Sequence, residues 1–189
     1  MLKPILSGHS DAVSPGIACS HAPLLIGYGQ TLNKHMEVKW RRWRETVFPA
    51  PILPGACLAL ERSTFFDVDG FERGFNVWGF EDIELSIKLW LHGYTCSVQP
   101  EVTVLHVFRL LHPYTVTSKH IYYNLMRMAY SHFNNERIEK CKKLANKSGE
   151  LKEILPQLLE SDVMEQRKRY VSKRKYDDNW FFKKFRIPF

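Results

Sequence analysis

The chain has 189 residues, 44% of them hydrophobic, and a formal net charge of +7. That length buries a real core in one domain, or one domain plus an extension. Its four cysteines (Cys19, Cys57, Cys96, Cys141) lie far apart without paired metal-ligand spacing, which argues against a disulfide framework and for a reducing compartment.

No apolar run approaches the length that spans a bilayer. Met1-Leu-Lys-Pro-Ile-Leu6 is too short for a signal peptide and is broken by Pro4. The expectation is a soluble, cytoplasmic chain. Basic residues cluster at 39–44, 140–152 and 167–184. Such charge favours acidic partners and does not choose among nucleotide diphosphates, anionic lipids and nucleic acids.

In chain order, Asp11 to Ala18 predicts a short strand and Pro23 to Thr31 a Gly-rich loop. Thr31 to Arg44 mixes apolar and basic residues as a strand or surface ribbon. Cys57 to Leu60 reads as a compact apolar strand, and Ser63 as the cap of a short helical turn through Phe66. Asp67-Val-Asp69 reads as turn chemistry.

Glu81 to His92 is the clearest helix, with Gly93 as its stop. Ile83, Ile87, Trp90 and Leu91 share one face, and Glu84 and Lys88 form an i,i+4 pair on another. Tyr94 to Val98 and Val102 to Phe108 predict two strands, the second with Val102, Val104, His106 and Phe108 on one side. From Ser118, read as a cap, the pattern is helical: to about Phe133, then Glu136 to Ala145 and Leu151 to Lys173. The tail from Asp177 to Phe185 is aromatic and charged, and should dock on the body.

Several residues offer chemistry. Glu81 and Asp82 follow the Trp78-Gly79 turn. First-turn acids suit any helix dipole, but a Gly there lets backbone approach a ligand, Trp offers a flat wall to a sugar face, and a carboxylate binds hydroxyls or acts as a general base. His106 on a strand face is more often a satisfied core residue than a ligand, although neutral imidazole binds Mn²⁺ well beside carboxylates. Arg109, His112 and Tyr114 bring a guanidinium, an imidazole and a phenol into one loop, a set suited to a diphosphate.

The blocks Pro54–Leu60, Gly74–Ser86, Leu89–Gly93 and His106–Thr115 resemble the C-terminal catalytic half of family 2-type GT-A glycosyltransferases. The pattern is that of the polypeptide N-acetylgalactosaminyltransferases, and the galactosyltransferase C-terminal module is similar. The resemblance covers roughly residues 50 to 130.

It implies an α/β fold, a partial GT-A mixed sheet over residues 1–117 with a helical extension over 118–189. It implies transfer from a nucleoside-diphosphate sugar, a UDP-sugar, to a hydroxyl acceptor (glycan, peptide or lipid-linked), with Mn²⁺ or Mg²⁺. His106 matches the metal histidine; Arg109, His112 and Tyr114 match the diphosphate loop; Gly55, Trp78 and Gly79 border the donor sugar. Glu81 matches the donor-sugar turn and, with Asp82, the base of inverting relatives.

Two departures stand out: Ala56 and Phe80 replace the second glycines of Gly-Gly and Trp-Gly-Gly. The nucleotide-binding half with its Asp-x-Asp or Asp-x-His motif has no room before Asp11, so an N-terminal half-enzyme partner is expected. A non-catalytic carbohydrate- or partner-binding remnant is the second reading, and a basic nucleic-acid-binding protein the third. Arg167 to Lys175 reads as a solvated helix face that also suits peripheral membrane contact.

Overall fold

The computed structural model describes residues 1–109 and 111–189. After a short helix α1 (Lys3–Leu6), β1 (Ala12–Cys19) is the buried centre of a five-stranded sheet. It pairs antiparallel with β2 (Ala22–Gly27) and parallel with β7 (Cys96–His106). The short strands β5 (Phe48–Pro49) and β6 (Ala59–Leu60) add antiparallel to β7 and β1. A separate ribbon, β3 (Gln30–Leu32) with β4 (Val38–Trp40), lies beside the sheet.

Two strand expectations are corrected. Pro23 to Thr31 is no loop: most of it forms β2 and the start of β3. β2 is an edge strand, where Pro is tolerated, and its exposed Leu24 and Leu25 give no alternating pattern to read. The two strands expected on either side of residues 99–101 are a single strand, β7. Pro100 sits where the β1–β7 register shifts, opposite the Pro15/Gly16 step, and a strand irregularity accommodates a residue that cannot donate to the ladder. Beyond it the expected alternation holds as far as His106, where β7 ends: Val102, Val104 and His106 are half-buried and Glu101, Thr103 and Leu105 exposed, but Phe108, expected on the same side, is exposed past the strand.

Helix α2 (Arg62–Asp67) begins after Glu61 without a side-chain cap, so Ser63 is inside the helix rather than its cap. Helix α3 (Glu81–His92) ends at Gly93 in the left-handed conformation (φ 95°), a geometry that favours glycine. Its apolar residues are buried, and so are Glu84 and Lys88, which pair at 3.2 Å inside the protein. His132 meets Glu84 Oε1 at 2.7 Å, and Lys88 donates to the Gly70 carbonyl at 2.6 Å.

Helix α4 (Ser118–His132) is capped by Thr117, one residue before the expected Ser118, in a capping box with His120. Helix α5 (Asn135–Lys147) follows. The stretch expected as one amphipathic run is two helices, α6 (Leu151–Glu160) and α7 (Val163–Lys173), because Ser161 turns extended and its hydroxyl accepts from the Val163 N–H. Helix α8 (Asp178–Phe185) docks as expected, with Phe181 and Phe182 buried and Phe185 against Trp90. One apolar cluster joins the sheet, α3 and the helices after residue 118. No helix among the described residues is long and apolar enough to cross a membrane.

Candidate functional site

A cleft of about 1300 Å³ opens between the β3–β4 ribbon, the N-terminus of α3, the segment after β7, and α4. Every residue singled out from the sequence lies on its walls: Gly55, Trp78, Gly79, Glu81, Asp82, His106, Arg109, His112 and Tyr114. Leu110, within the last motif block, lies outside the described residues.

The turn before α3 is held in an unusual shape. Val77, Gly79 and Phe80 all have positive φ, at 37°, 101° and 72°. Only glycine adopts such angles freely, so Val77 and Phe80 hold a conformation that glycine would adopt at less cost. The restraint comes from α4. Asn124, fully buried, donates from Nδ2 to the carbonyls of Asn76 (2.8 Å), Trp78 (3.1 Å) and Gly79 (2.9 Å), and its Oδ1 accepts from the Asn76 N–H (2.7 Å).

One turn along α4, buried Arg127 donates to Glu72 Oε1 (2.8 Å), Asp162 (2.6 Å), Ser161 (3.0 Å) and Gln166 (3.1 Å). A Cβ on Gly74 would sit 2.1 Å from Arg127 Cζ, so this loop must pass the guanidinium as bare backbone. Asn124 and Arg127 carry no signal in the local sequence beyond being polar residues in an otherwise apolar helix.

The two acids play different parts. Glu81 Oε2 accepts from the Gly79 N–H at 2.9 Å, which leaves its second oxygen for the cleft. Both oxygens of Asp82 hold backbone, accepting from Gly55 N–H and Ile83 N–H at 2.8 Å each. Burial raises the Asp82 carboxyl above its ordinary value; the Gly55 N–H opposes this and the Glu81 charge adds to it. A Cβ on Gly55 would meet Asp82 Cβ at 3.2 Å, so glycine permits this close approach. Asp82 is therefore tied to the shape of the Gly55 loop, and Glu81 is the freer carboxylate.

Across the cleft, the His112 ring stacks on Tyr114 with centroids 5.5 Å apart and meets Trp78 at 4.8 Å, tilted by 50°. These ring contacts bring the segment after β7 over the α3 turn. His106 packs edge-on against Phe108 at 4.4 Å, and its buried Nδ1 has no hydrogen-bond partner among the described residues. In the ribbon, Trp40 covers Gly27 and meets Phe108, yet both Trp40 and Trp43 remain exposed, at 41% and 55%. Arg41 and Arg44 pack over Phe48.

The residues present do not fit a self-contained Mn²⁺ or Mg²⁺ site. No group of three or more His, Cys, Asp or Glu side chains that could hold a metal occurs among the described residues. His106 is a single imidazole without a cluster.

Comparison with known proteins agrees with this architecture. Residues 34–116 match the family model described as the N-terminal domain of galactosyltransferase. A probable N-acetylgalactosaminyltransferase 8 of Caenorhabditis elegans is 43% identical over 68 residues, 36% of this chain and 16% of that protein. Polypeptide N-acetylgalactosaminyltransferase 5 of Rattus norvegicus is 31% identical over 86 residues, 44% of this chain and 9% of that protein. The crystal structure of GalNAc-T7 with UDP, GalNAc and Mn²⁺ superposes with a TM-score of 0.65 at 17% identity, covering 93% of this chain and 35% of that one. The chain thus spans a small part of the relatives it matches; within that part it is similar in sequence to polypeptide N-acetylgalactosaminyltransferases and shares the fold of a GT-A glycosyltransferase.

Proposed function

We propose that the cleft holds the sugar and diphosphate of a nucleoside-diphosphate sugar, a UDP-sugar, for transfer to a hydroxyl of a glycan, peptide or lipid-linked acceptor. The observation that carries this reading is the convergence of the Trp78–Asp82 turn and the Arg109, His112 and Tyr114 segment on one cleft. The Arg109 guanidinium offers a bidentate match to phosphate oxygens, and the Tyr114 and His112 rings add donors beside it. Trp78 presents an apolar face to the sugar ring. The free oxygen of Glu81 accepts from a sugar hydroxyl or takes the proton of an attacking one.

Mn²⁺ would offset charge on the departing diphosphate when bound, and His106 is the residue that would reach it. The other ligands are not grouped in this chain, so no step is assigned to the metal. A cytoplasmic location belongs to this proposal. A second reading, a non-catalytic sugar-binding module, draws support from Asp82, whose oxygens are both committed to backbone.

Calorimetric titration with UDP, with and without Mn²⁺, tests the reading. Binding that weakens at least tenfold in Arg109→Ala and loses its Mn²⁺ dependence in His106→Ala is expected. No heat from a cooperatively folded sample would remove the donor-site reading from this chain.

A further inference from the structure

Arg127, behind the cleft wall on α4, engages every nitrogen of its guanidinium inside the protein. Nε donates to Glu72 Oε1 at 2.8 Å, Nη1 to the Ser161 hydroxyl at 3.0 Å, and Nη2 to Asp162 and Gln166 at 2.6 and 3.1 Å. The Arg127 side chain is 2% exposed and that of Glu72 fully buried, whereas Asp162 is 60% exposed. Glu72 Oε1 also accepts from the Gly74 N–H at 2.9 Å, and a Cβ at Gly74 would overlap Cζ, Nε and Nη2 of the arginine. Residues 72 to 74 are thus moulded on the guanidinium.

Three positions earlier on the same helix face, Asn124 holds Asn76, Trp78 and Gly79. Helix α4 therefore grips the segment 72–79 at two successive places. A polar chain also runs from Arg127 to the far side of the turn. The Tyr170 hydroxyl accepts from Gln166 Nε2 at 3.0 Å and from Lys88 Nζ at 3.4 Å, and Lys88 belongs to α3. The turn that carries Trp78, Gly79 and Glu81 to the cleft is anchored on both sides through this network.

Stability alone does not explain an arginine at this position. A buried ion pair gains little over well-packed apolar groups of similar volume, because desolvation offsets the attraction. The planar fork supplies direction instead. Its nitrogens fix Glu72, Ser161 and Asp162 relative to one another, which an apolar side chain or the single ammonium of lysine does not do.

We propose that Arg127 is a positioning residue of the cleft: its clamp on Glu72 and Gly74 sets where the turn from Trp78 to Glu81 stands, and so where both residues meet a ligand. The identity of that ligand, a nucleoside-diphosphate sugar, rests on the donor-site reading above.

The test follows the five tryptophan indole N–H signals of the full ¹⁵N-labelled chain, with the Trp78 signal assigned by its loss in Trp78→Phe. Arg127→Lys keeps the charge and loses the fork. Asp162→Ala removes the outer anchor from the solvent side, and serves should the lysine variant fold poorly. A substitution that only destabilises a two-state protein lowers its melting temperature without moving native-state signals. The expected result is a shifted Trp78 signal in both variants, with Trp43 and Trp180 in place, and UDP binding weaker by about fivefold or more. An unshifted Trp78 signal in the folded variants, an equal displacement of all the indole signals, or unchanged affinity where the parent chain binds UDP would overturn the proposal. A Trp78 shift in variants of a parent chain that binds no UDP leaves Arg127 as the positioning residue and sinks only the donor-site reading.

Discussion

Asn124 and Asn76 exchange two hydrogen bonds across 48 positions of sequence, at 2.7 and 2.8 Å, and through them helix α4 fixes the turn that leads into α3. The same Asn124 amide reaches the carbonyls of Trp78 and Gly79. This wall of the cleft therefore has its shape set from behind, by a residue that never enters the cleft.

Asn124→Ala would leave those backbone groups without partners in a buried setting. The expected loss of stability is about 3 kcal/mol, since each unsatisfied buried group costs roughly 1–3 kcal/mol. Urea unfolding measures it, and affinity for a cleft ligand should fall in parallel. A variant with unchanged stability would show that water replaces the side chain.

Val77 and Phe80 test backbone strain from two directions. Both hold positive φ, but Val77 is 56% exposed whereas Phe80 packs against the core. A β-branched residue at such an angle is strained by roughly 1–2 kcal/mol, and asparagine tolerates it better. Val77→Asn should stabilise the chain by about 1 kcal/mol. Phe80→Gly relieves similar strain but gives up apolar burial, and should be neutral or destabilising. Thermal melts of the two variants should move in opposite directions or by clearly different amounts.

The buried pair of Glu84 and Lys88 governs the acid limb of stability. Burial pushes the Glu84 carboxyl upward, but Lys88 and His132 outweigh it, and the net shift is downward. A carboxyl with a lowered folded value contributes stability that is fully present above its unfolded value, about 4.3. That contribution is lost as pH falls through the lowered folded value. Glu84→Gln should flatten this limb and cost about 3–5 kcal/mol near neutrality, because it leaves the Lys88 charge buried without its counter-ion. Replacing both residues by leucine and methionine should cost less than the single change. Denaturant unfolding from pH 3 to pH 7 reads both effects.

The C-terminal helix is part of the core rather than an appendage. Phe181 is fully buried and touches Phe182 and Phe185. Phe181→Ala should cost about 3–5 kcal/mol, in the range for large aromatic truncations, and lower the single melting transition of the whole chain. Two separate transitions would show instead that the helices after residue 118 fold apart from the sheet.

Local pattern made some of this legible. Helix α3 could be read because its apolar period and the terminal Gly93 agree, and His106 because β7 alternates through residues 102–106. The cleft-lining residues were legible through short motifs that lie close to one another in sequence. What escaped is long-range. The Asn124 tether and the Arg127 hub join segments some 35 to 55 residues apart. The burial of Glu84 and Lys88 depends on α4 and α7 covering that face, with His132 and Tyr170 beside them. The strand β2 was missed because an exposed edge carries no alternation. None of these is written in the periodicity of any single element.

The central claim is that one cleft, walled by the α3 turn and the segment after β7, receives the donor. Hydrogen exchange read by mass spectrometry, with and without UDP-N-acetylgalactosamine and Mn²⁺, tests it most directly because it locates the ligand. The account predicts slowed exchange in residues 76–82 and in the segment around Arg109 to Tyr114, with the basic helices α7 and α8 unchanged. Protection confined to α7 and α8, or none in a folded sample, would contradict it and return the basic surface as the functional face.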